Sequence, residues 1–73
     1  MELKDKVRKI RDLFVYNTHI VPVEIVVKRH KIIITLDASK INDRHYEEVM
    51  PGTIEKLQEV MEREIIIDLI KQE

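Results

Sequence analysis

The stretch Val23-Glu24-Ile25-Val26-Val27-Lys28-Arg29-His30-Lys31-Ile32-Ile33-Ile34-Thr35-Leu36-Asp37 sets a basic tetrad between two runs of strand-forming residues. A hairpin turning at Arg29-His30 pairs residues whose numbers sum to 59. Val27 then faces Ile32, Ile25 faces Ile34 and Val23 faces Leu36, six aliphatic side chains on one side. Glu24 with Thr35, Val26 with Ile33 and Lys28 with Lys31 fall on the other. A slip of one residue would send every side chain to the opposite face, so a pattern this consistent fixes the register. Arg29-His30 has none of the Asn-Gly or Gly chemistry of a tight two-residue turn. A four-residue loop, Lys28 to Lys31, keeps the same register and is the expected connection.

Working outward, Pro22 cannot donate to a ladder, which marks the start of the first strand as a sheet edge. Ile32-Ile33-Ile34 is apolar on both faces and predicts a strand paired on both sides. Two strands alone are marginal in water, so a symmetric dimer is the economical arrangement. Two copies of residues 31–37 would pair antiparallel, giving a four-stranded sheet in the order 1-2-2′-1′.

Residues 2–14 predict a helix whose stripe is Leu3, Val7, Ile10 and Phe14, with Leu13 beside it. Tyr16-Asn17-Thr18-His19 breaks that period and reads as a turn. Asn42 or Asp43 can cap a short helix through Met50, stopped by Pro51-Gly52. Thr53 can cap a final helix with the stripe Ile54, Leu57, Met61, Ile65 and Leu69. Beyond Glu64 the apolar pattern broadens, as in a helix buried on several sides. The alternative is a third strand at 65–70, because the isoleucine run favours β structure. The expected fold is α+β, a single small domain over residues 1–73 in the order α-β-β-α-α, with an antiparallel hairpin at 22–37. Ile33, Ile65, Ile66, Leu69 and Ile70 form the expected dimer interface.

A chain of 73 residues without cysteine has a small core, no disulfide and no thiolate metal site. Oligomerisation is the most available source of extra stability. A composition of 44% hydrophobic and 37% charged residues with one glycine predicts a regular, soluble fold rather than a disordered tail. Apolar runs fall far short of the ~20 residues of a membrane span, and no membrane partner is expected. MELKDKVRKI is charged from its second residue and does not read as a secretory signal, so a cytoplasmic location is expected.

Catalytic chemistry is not legible. Ser39 lies near Asp37, but His19, His30 and His45 are far apart in sequence. Neither a nucleophile elbow, a glycine-rich phosphate loop nor a metal-binding histidine pair is present. The chain is therefore expected to be no enzyme and to hold no cofactor or metal, with Asp37 and Ser39 as turn and capping residues.

Charge is unevenly spread. Residues 1–45 hold ten Lys/Arg against six Asp/Glu, and residues 46–73 hold three against eight. Lys28, Arg29, His30 and Lys31, with Lys40 and Arg44, are candidate contacts for duplex-DNA phosphates or an acidic partner. The order KIIITLD, short helix, PGT, final helix resembles the strand-helix-helix order of ribbon-helix-helix DNA-binding dimers over residues 31–70. That resemblance implies paired strands in the major groove, with Lys31, Ile33 and Thr35 reading bases; the N-terminal helix and first strand depart from it. The function expected from the sequence is that of a small accessory or regulatory homodimer that binds another protein. The alternative is a dimeric duplex-DNA-binding regulator using the hairpin tips.

Overall fold

Ile25 faces Ile34 and Val27 faces Ile32 in the folded chain, with Glu24 opposite Thr35 and Val26 opposite Ile33, the register read from the sequence. The computed structural model describes residues 3–71. Helix α1 spans Leu3–Thr18, strand β1 Glu24–Val27, strand β2 Lys31–Asp37, helix α2 Asp43–Met61 and strand β3 Glu64–Ile70. The Lys28 N–H donates to the Lys31 carbonyl at 2.8 Å, closing the four-residue loop.

The order is therefore α-β-β-α-β, not α-β-β-α-α, and the sheet order is β1-β2-β3. β3 pairs parallel with β2 over seven positions, from Lys31 opposite Glu64 to Asp37 opposite Ile70. β2 is paired on both sides, as its two apolar faces predict, but by strands of its own chain. Both of its edges are taken, so the antiparallel pairing of two β2 copies is excluded, and with it the 1-2-2′-1′ sheet. The ribbon-helix-helix comparison fails for the same reason: β2 is an internal strand, followed by one helix and a strand.

Both helices cover one face of the sheet. Ile32, Ile34 and Leu36 of β2 point into it and are fully buried with Ile10 and Phe14 of α1 and Leu57 of α2. Met50 and Ile65 complete this core. Val26, Ile33 and Ile66, neighbours across the three strands, lie half-buried on the other face.

α1 runs one turn past its expected end. The Asn17 side-chain amide donates to the Leu13 carbonyl at 2.7 Å, and the Thr18 hydroxyl to Phe14 at 2.8 Å. These bonds to the preceding turn hold polar residues in a helix where they would otherwise favour a turn. His19, with φ 59°, ends it.

α2 passes through Pro51 and Gly52. Asn42 caps its start, accepting from the His45 N–H at 3.1 Å. Thr53, expected to cap a new helix, instead donates its hydroxyl to the Val49 carbonyl at 2.8 Å, within the same helix. Met50, Thr53 and Leu57 are buried along one stripe, flanked by Tyr46, Ile54 and Met61. Burial of that stripe outweighs the one hydrogen bond that Pro51 cannot make. The helix stops at Glu62, left-handed at φ 53°, with its N–H bonded to the Gln58 carbonyl at 2.9 Å. No helix among the described residues is long and apolar enough to cross a membrane.

Gly52 is exposed, its φ is not positive, and a Cβ there meets nothing within 4 Å. Gly52→Ala should therefore raise stability by about 0.5–1 kcal/mol through lower unfolded-state entropy. In a thermal melt that corresponds to a Tm higher by about 2–8 °C.

Candidate binding surfaces

Asp37, Ser39 and His45 each make a hydrogen bond that shapes the local backbone or ties the helices together. Asp37 is 7% exposed, and its Oδ1 accepts from the Ser39 hydroxyl at 2.6 Å and the Ser39 N–H at 2.9 Å. These bonds start the 3-10 turn Ala38–Lys40 that follows β2. His45 donates through Nε2 to the Thr18 carbonyl at 2.6 Å, tying α2 to the end of α1. Asp37 caps the 3-10 turn and Ser39 lies within it, the turn and capping placement expected of the pair. Among the described residues, no three metal-ligating side chains converge.

The six basic candidates separate into two groups. Lys28, Arg29, His30 and Lys31 sit at the hairpin tip, the first three exposed. Lys40 and Arg44 lie at the opposite end, beyond the whole of β2. Seven residues of strand put about 23 Å between the groups. Arg44 is moreover engaged with Glu48 at 3.6 Å. One continuous basic strip does not form.

Two cations overlooked in the sequence join the tip. Lys6, from the first turns of α1, and Arg63, between α2 and β3, line a concavity of about 310 Å3 with Lys28, Arg29, Leu3 and Val27. Sequence reasoning had no signal for Arg63, because only the parallel return of β3 brings it beside the hairpin. A larger groove of about 640 Å3 along α1 mixes Asp5 and Asp12 with Arg8, Lys9 and Lys56. Its charges oppose one another and select no ligand sign.

The expected interface residues also divide. Ile65 belongs to the core at 7% exposure, whereas Leu69 is 48% exposed. Ile33 and Ile66 lie on the uncovered face, and Ile70 is half-buried at the end of β3. β3 itself is an edge strand. The Glu64 N–H donates to the His30 carbonyl at 3.3 Å. Backbone groups alternate along a strand, so those of Ile66, Asp68 and Ile70 also face β2, while those of Ile65, Ile67 and Leu69 turn outward. The Gln58 side chain accepts from the Ile65 N–H at 3.3 Å, covering one outward donor.

No protein-family model, curated protein or solved structure matches the chain. Asp37→Ala removes both bonds that start the 3-10 turn and should lower stability by about 1–2 kcal/mol. The urea midpoint should fall while the denaturant slope stays unchanged.

Proposed function

We propose that this chain acts by binding rather than catalysis, as a homodimer joined edge to edge through β3 that offers its uncovered sheet face to a protein partner. The observation that carries the reading is the outer edge of β3, a seven-residue strand whose outward N–H and C=O groups at Ile67 and Leu69 have no partner in the sheet. Such an edge is a ready template for another strand.

A second β3 fits it in an antiparallel register centred on Ile67. With Ile67 opposite its own copy, Ile65 meets Leu69, Ile66 meets Asp68 and Glu64 meets Ile70, so no like charges face each other. Moving the centre to Ile66 sets Glu64 against Asp68, and moving it to Asp68 sets two aspartates together. The favoured register also covers the exposed Leu69 with Ile65 of the other copy. It creates a six-stranded sheet on which Val26, Ile33 and Ile66 recur about the two-fold axis, a larger apolar stripe for a partner.

Light scattering at high micromolar protein should give twice 8.8 kDa. Leu69→Lys places a charge on an exposed edge position without touching the core, and should weaken the dimer at least about tenfold. A wild-type chain that stays at 8.8 kDa would remove the dimer from the account.

A further inference from the structure

We propose that the hairpin-tip end of the molecule is a binding site for a compact polyphosphate, formed by Lys6, Lys28, Arg29 and Arg63. These residues come from α1, from the end of β1 and its loop, and from the α2–β3 junction, and they line one concavity of about 310 Å3. Among the described residues, no carboxylate lines it. Among the described residues none of the four is in an ion pair; the pair found there is Arg44 with Glu48, at the far end. Four positive charges brought together around a low-dielectric wall, with no carboxylate among the described lining residues, raise the potential inside and concentrate anions.

Arg63 makes the site specific. Its Nη1 is shut off from solvent and, among the described residues, has no hydrogen-bond partner. A guanidinium cannot shed its charge, and a buried donor left unmet is costly. Rotating it into the concavity to meet an anion gives up no bond at Nη1 and gains a charge-assisted one in the fork geometry that suits phosphate. The flanking Glu62 and Glu64 are exposed, and Glu64 stands opposite Lys31 on the other face of the sheet, so neither fills that role.

The shape favours a small ligand over a duplex. The volume is near the lower end of small-molecule sites, and Leu3 and Val27 offer an aliphatic wall to whatever carries the phosphates. A duplex needs cations along a strip. Here Lys40 and Arg44 are at the opposite end, and Glu24, Glu64 and Asp68 stand on the sheet face between. The site does not depend on dimer formation, so the two proposals stand or fall separately.

The probe is pyrophosphate, titrated at constant ionic strength into the isotope-labelled full chain and followed by NMR of the backbone amides and arginine Nε–H groups. Saturable shifts should cluster at Lys6, Lys28, Arg29 and Arg63. Lys28→Gln, at an exposed position, and Arg63→Gln should each weaken binding at least about tenfold. Lys40→Gln and Arg44→Gln should leave the affinity within about twofold, since screening at ~23 Å is nearly complete. Absence of a saturable response would overturn the proposal, as would equal losses in the tip and far-end variants. So would a DNA duplex that shifts the tip residues when pyrophosphate does not.

Discussion

The parallel ladder between Lys31–Asp37 and Glu64–Ile70 is the constraint on which the other parts of this structure depend. Parallel pairing obliges the chain to travel back the full length of β2 before it can pair again. The seven residues of β2 span about 23 Å, and the nineteen of α2 span about 28 Å. A helix ended at Met50 would cover only about 12 Å of that return. Continuity through Pro51 and Gly52 is thus a consequence of the ladder, sustained by the buried stripe Met50, Thr53 and Leu57.

The same constraint explains which parts of the fold were legible. Hairpin register could be read because it is local: alternation within Val23–Asp37 decides it, and nothing farther along the chain competes. Helix α1 was equally plain from Leu3, Val7, Ile10 and Phe14. β3 was offered only as the alternative to a helix, because its determinant is a vacant strand edge more than twenty residues upstream. The break before it, Glu62 in the left-handed region, carries neither glycine nor proline to announce it. Pro51-Gly52 announced a break that tertiary packing overrides. Apolarity on both faces of Ile32-Ile33-Ile34 did predict a strand paired on both sides. What it could not say was whether the second neighbour belonged to the same chain.

Function follows the same division. Lys28, Arg29, His30 and Lys31 were visible as a basic tip, since a hairpin's turn must be exposed. Lys40 and Arg44 do not extend it, because β2 carries the chain to the far end of the sheet before either residue. Once β3 returns beside β2, Arg63 arrives at the tip and the cationic cluster turns inward toward α1 and Lys6. The ladder also closes the second edge of β2 and leaves β1 and β3 as the edges of the sheet. One pairing therefore sets the core, the helix length, the free edge and the basic concavity together.

Amide hydrogen exchange along β2 tests that pairing most directly. Lys28 and Val23 donate to the Lys31 and Thr35 carbonyls, so the odd-numbered residues of β2 face β1. The N–H groups of Ile32, Ile34 and Leu36 face β3. Within one chain, these three amides should be as protected as those of Ile33 and Thr35, and their protection relative to that pair should not change on dilution. Rapid exchange at Ile32, Ile34 and Leu36, or relative protection that fades with falling protein concentration, would contradict the account.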